Sequence, residues 1–131
     1  MNKSIPPPLV YSCSGCSSAA QMANWLAIQL DRHQLAEMSC IAGVGGNIKK
    51  LVNTAKSGRQ IIAIDGCPLA CSKACLANQD LQPDLHLNLA DFNIRKRSHE
   101  DFDPFQAQEV FEVISEKYFN QKTRLQPEYC I

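Results

Sequence analysis

A chain of 131 residues has room for one domain. With 45% hydrophobic and 20% charged residues it is composed like an ordinary globular protein, which excludes wholesale disorder. Thirteen Lys and Arg balance thirteen Asp and Glu, so the electrostatic footprint of a nucleic-acid or polybasic membrane binder is absent.

The opening segment MNKSIPPPLVYSC has no apolar core of the signal-peptide kind, and no stretch approaches the roughly 18 apolar residues of a membrane span. Residues 1–8 read as an extended tail, and the three prolines set up a first strand, Leu9–Cys13. After a polar turn at Ser14–Ser18, the residues Ala19, Met22, Ala23, Leu26 and Leu30 fall on one face of a helix. Ser17 or Ser18 is its N-cap, and it ends near His33. A second strand is expected at Glu37–Ile41, punctuated by Gly43, Gly45 and Gly46. A second helix, capped by Asn47, then buries Ile48, Leu51, Val52 and Ala55, leaves Lys49, Lys50 and Lys56 off that stripe, and stops at Gly58.

The apolar, β-branched run within Gln60–Asp65 is a strand buried on both faces. Gly66 and Cys67 turn the chain, and Pro68 fits the first position of a third helix reaching about Asn78. Leu85, Leu87 and Leu89 alternate with His86 and Asn88 as a half-exposed fourth strand. The charged stretch Asn93–Asp103 is irregular. Asp103, Pro104 and Gln106 then start a fourth helix with Ala107, Val110, Phe111, Ile114 and Tyr118 inward, and residues 122–131 form a polar tail.

Strands alternating with helices imply a small doubly wound, Rossmann-like α/β domain: a four-stranded, mainly parallel sheet with helices on both faces. Ligands of such sheets bind outside the carboxyl ends of the strands. That edge is where the cysteines fall. Cys13 ends the first strand, Cys40 lies near the end of the second and Cys67 follows the third. Cys16 completes a CxxC in the first turn, and Cys71 and Cys75 continue Cys67 at helical i, i+4, i+8 spacing. In a reducing compartment, and a cytoplasmic location is expected, such a cluster points to metal ligands or working thiols. Four thiolates make a closed zinc site; six also allow a zinc plus a redox pair, two metals sharing sulfurs, or an iron–sulfur cluster. The spacing matches neither a ferredoxin run nor a zinc ribbon. Cys130, in the terminal tail, reads as a bystander.

The segments Tyr11-Ser-Cys-Ser-Gly-Cys16, Ala36-Glu-Met-Ser-Cys-Ile-Ala-Gly-Val-Gly-Gly46, Ile61-Ile-Ala-Ile-Asp-Gly-Cys-Pro-Leu-Ala-Cys-Ser-Lys-Ala-Cys75 and Lys96–Phe102 together resemble the DGC family, small proteins named for an Asp-Gly-Cys tripeptide, here Asp65-Gly66-Cys67. The resemblance implies zinc at Cys13, Cys40, Cys67 and Cys71, with Cys16 and Cys75 marking a cysteine-richer subgroup.

Other candidates carry weaker signals. Gly43-Val-Gly-Gly46 is either an anion cradle, centred on Gly45 and Gly46, or a tight turn needing positive φ. Asp65 is a general base, a partner to the site, or a cap for the next turn. A phosphatase-type loop is excluded, since Ala19 and Met22 stand where its arginine is needed. His33, His86 and His99 read as surface residues, Arg95-Lys96-Arg97 as a solvated basic run, and Trp25 as core or interface. The expectation is therefore a zinc-binding protein; the alternatives are a sulfur-relay or thiol-redox enzyme using Cys13 and Cys16, or an iron–sulfur module. The partner implied is a metal ion, with no nucleic acid or membrane, and a homodimer left open.

Overall fold

The computed structural model describes residues 5–125. Residues 1–4 and 126–131 of the expected tails, Cys130 among them, lie outside these. Four strands, β1 (Leu9–Ser12), β2 (Glu37–Met38), β3 (Ile61–Asp65) and β4 (Leu85–Asn88), form one all-parallel sheet in the order β2-β1-β3-β4. The doubly wound reading holds. The central pair is in register from Leu9 opposite Ile61 to Ser12 opposite Ile64.

Alternation along these strands divides the core in two. Val10, Ile62, Ile64 and Leu87 face α1 (Ser18–Arg32) and α5 (Pro104–Leu125). Leu9, Tyr11, Ile61 and Ala63 face the other way, with Val44 of α2 (Ile41–Gly45), Ala55 of α3 (Lys49–Ala55) and Leu76 of α4 (Cys71–Ala77).

The two long helices start where side-chain chemistry says. Ser17 Oγ accepts from Ala20 N at 3.1 Å, and Asp103 Oδ1 accepts from Phe105 N at 2.9 Å. Each lays its expected apolar stripe on the sheet, with two adjustments in α5. Phe119 is buried while the Tyr118 ring stays partly in water, as suits a side chain with a polar tip. The helix also runs to Leu125, taking in four residues read as tail. Trp25 packs against Phe102 and Phe111, at 6.1 and 6.4 Å between ring centroids.

The other face departs from the expected elements. β2 has only two residues, because the chain turns into α2 directly after Cys40. Gly43 and Gly45 are thus helical, and none of the three glycines takes a positive φ; Asn47 does, at 62°. Asn47 is not the cap of α3, since its side chain accepts from Gln79 Nε2 at 3.4 Å, and Ile48 at the cap position is exposed. α4 begins at Cys71 rather than Pro68. Residues 67–70 close a turn, with Ala70 N donating to Cys67 O at 3.0 Å, and Ala70 lies in the left-handed region at φ 52°. Leu89 is buried in a 3-10 turn, Leu89–Phe92, beyond the end of β4. On the sheet's open edge, Asp31 Oδ1 accepts from Met38 N at 2.9 Å, so β2 does not present that donor for pairing.

Candidate functional site

β1 and β3 lie side by side at the centre of the sheet, yet the helices that follow them pack on opposite faces. Their carboxyl ends therefore frame the crevice at which ligands bind in this architecture. Cys13 extends β1 by one ladder bond, its N–H donating to Ile64 O at 3.0 Å. Its sulfur accepts from Gly66 N at 3.2 Å, which links the two strand ends. Gly66 is required there: a Cβ on it would stand 2.6 Å from the Ala19 backbone. That is the physical reason for glycine in the Asp-Gly-Cys run.

Asp65 is fully buried at the end of β3. Its carboxylate accepts from Ser72 N at 2.8 Å, from Lys73 N at 3.3 Å and from His86 Nε2 at 2.8 Å. It takes the donors that a capping side chain at Ala70 would have taken, and so holds the start of the helix bearing Cys71 and Cys75. Of the expectations for Asp65, the structure shows a capping carboxylate, which serves the start of α4 rather than the turn that follows it. His86 is not a plain surface residue. It stands opposite Ala63 in the sheet, so it shares a sheet face with Asp65.

The thiols occupy different settings. All six described cysteines are free. Cys13 is half-buried, and burial pushes its thiol up to about 11; the charges of Asp65 and Cys71 act in the same direction, against the Gly66 N–H. Burial also raises Cys75, again with Cys71 and Asp65 adding to the shift. Cys75 lies under α2, 2.9 Å from where a Cβ on Gly45 would be. Gly45 therefore gives closeness between helices rather than an anion cradle, and the Gly46 N–H is used by Ala42 O at 2.8 Å. Cys67 sits in the turn, not on the helix face with Cys71 and Cys75. Its carbonyl accepts from Asn88 Nδ2 at 2.9 Å, and Lys96 Nζ is 3.7 Å from its sulfur. Cys40 is exposed at the start of α2, in a groove with Ser12, Ser14 and Asn24. Cys16 is exposed, and its carbonyl accepts from His99 N at 3.4 Å.

Among the described residues, no three Cys, His, Asp or Glu side chains are gathered closely enough to hold a metal ion. Thiols at the end of β1, in the turn after β3 and on α4 follow the carboxyl ends of the strands, and the Cys13 sulfur accepts a backbone N–H; thiolate is the ligand type that a thiophilic divalent cation takes. Burial beside the Asp65 carboxylate disfavours the Cys13 thiolate, the reverse of what activates a nucleophile. The expectation of a surface histidine at 86 and a solvated basic run at 95–97 does not foresee the contacts of His86 with Asp65 and of Lys96 with Cys67. His86 becomes visible only through the β3–β4 register, and Lys96 only through the path of a loop with no periodicity.

The DGC domain family matches residues 9–114. A curated relative, the "Anaerobic and virulence modulator AnvM" of Pseudomonas aeruginosa, is 57% identical over 106 residues, which is 81% of this chain and 81% of the relative. No solved structure matches. No helix among the described residues is long and apolar enough to cross a membrane.

Proposed function

The chain belongs to the DGC domain family, and from that premise we propose that it is a small zinc-binding regulatory protein whose metal is held by cysteines at the carboxyl edge of the sheet. The observation that carries the reading is the junction at Gly66. There a thiol from the end of β1 meets the turn and helix that bring Cys67, Cys71 and Cys75 from β3. Cys13, Cys40, Cys67 and Cys71 are the proposed ligands, with Cys16 and Cys75 as neighbours able to join or replace them. Zinc, when bound, would supply a thiolate crosslink between the end of β1, the start of α2 and the turn and helix after β3. Asp65 keeps the helix start in place, and the Gly66 N–H holds the Cys13 sulfur toward the crevice. The relative's name describes a modulator, and the same kind of role is proposed here. The free thiols suit a reducing, cytoplasmic setting. The dithiol-enzyme reading is disfavoured by the burial of Cys13 beside Asp65.

Elemental analysis and thiol counting on protein purified without added metal test this. About one zinc per chain is expected, without colour. Cys13→Ser and Cys71→Ser should each lose the metal and melt earlier, because ligation is folding energy. Iron with a visible spectrum would turn the site to cluster chemistry. A metal-free chain with every thiol quickly alkylated would overturn the reading.

A further inference from the structure

We propose that the groove beyond the ends of β1 and β2 is a binding site for a small uncharged amide. The groove has a volume of about 390 Å³, in the range of sites that hold small molecules. Ser12 lines it from the end of β1. This residue alternates with Val10, so its side chain leaves the sheet toward α1, the helix from which Asn24 also lines the groove. Ser12 is only 3% exposed, and its hydroxyl makes no hydrogen bond among the described residues. A buried hydroxyl without a partner is costly, and a ligand in the groove would supply one. The half-buried carboxamide of Asn24 has no hydrogen-bond partner among the described residues either. Met38, Ile41 and Ala42 add an apolar wall.

The groove offers no free charge. Its one carboxylate, Asp31, accepts from Met38 N at 2.9 Å and pairs with its one cation, Arg32. A ligand of either sign would therefore enter without a counter-charge. What stands unused is a hydroxyl and a carboxamide, each able both to donate and to accept. A carboxylate only accepts and an ammonium only donates, whereas an amide does both and matches the pair. Its aliphatic end would lie against Met38 and Ile41. No thiol takes part, so the amide site stands apart from the zinc reading.

The test is an NMR titration of the full chain with hexanamide, hexanoate and hexylamine, probes of similar length and different charge. Hexanamide should shift the Ser12 and Ile41 amide signals and the Asn24 side-chain signals saturably, with a dissociation constant in the millimolar range. The charged probes should bind at least about tenfold more weakly. Ser12→Ala should weaken hexanamide binding about tenfold. It should leave the melting temperature unchanged or raised, since it removes an unpaired buried hydroxyl. Asn24→Asp, which puts a free carboxylate in the groove, should turn the preference toward hexylamine. Three results would each overturn the inference: no saturation with hexanamide, hexanoate bound as tightly, or full affinity in Ser12→Ala. Shifts scattered over other surfaces and alike for all three probes would do so too, as unspecific contact.

Discussion

The two faces of the sheet are built on different terms. On one, α1 and α5 bring 15 and 22 residues and lay long aliphatic and aromatic stripes over Val10, Ile62 and Ile64. On the other, helices of five, seven and seven residues cover the strands with Val44, Ala55 and Leu76. Helices that short do not stand on their own hydrogen bonds. They are held by close approaches, such as Gly45 against Cys75, and by a buried polar tie, Asp65 to the start of α4. The contrast teaches that the well-packed face is the platform, with Cys13 packed against it, whereas Cys40, Cys71 and Cys75 belong to the short helices whose stability depends on specific contacts.

That contrast can be broken from either side. The largest effect belongs to the platform. Leu26→Ala, at a fully buried position of α1, should cost about 3 kcal/mol and lower the melting temperature by about 10 °C. Metal content per folded chain, measured by elemental analysis, should stay the same. Gly66→Ala strikes the seam between the faces, because its Cβ meets the Ala19 backbone rather than a movable side chain. A cost of about 2–3 kcal/mol is expected in denaturant titration, and here metal should be lost along with stability. Asp65→Ala should sharpen the distinction. It leaves Ser72 N and Lys73 N without their acceptor, for about 2 kcal/mol. Amide exchange should quicken through α4 while α1 and α5 stay protected; uniform quickening would show that the faces are not separable.

The smallest effect is a pH dependence of the metal-free chain. Burial, with Asp65 and Cys71, raises Cys13 from 9.0 to about 11. The unfolded chain then gives up this proton first as pH rises, so it gains relative to the folded state. Stability should be fully present below about pH 9 and fall toward pH 11, while Cys13→Ser shows a smaller fall. Identical pH profiles for the two would remove Cys13 from the account.

How much could be read in advance follows the same division. The α1 stripe from Ala19 to Leu30, the Ser17 cap, the Asp103–Pro104 start of α5 and the buried run of β3 all came through, because each is a local pattern repeated over enough residues to outweigh alternatives. The glycine-rich stretch after Cys40, expected as an anion cradle or a tight turn, folds as α2, because Gly43 meets Leu51 and Gly45 meets Cys75. Propensity alone does not predict that packing. The expected start of this helix, Pro68, lies three residues before the observed start at Cys71. The true start depends on Asp65, a side chain outside the helix altogether.

Local order thus settled the alternation of strands and helices, the parallel sheet, and the arrival of several cysteines at one edge. Covalent spacing and hydrophobic periodicity act along the chain and need no partner. Which thiols face which charges was a tertiary matter. Cys13 meets Gly66, His86 meets Asp65 and Lys96 meets Cys67 across separations of 53, 21 and 29 residues. Such meetings are set by strand register and loop path, and those exist only once the two faces have packed.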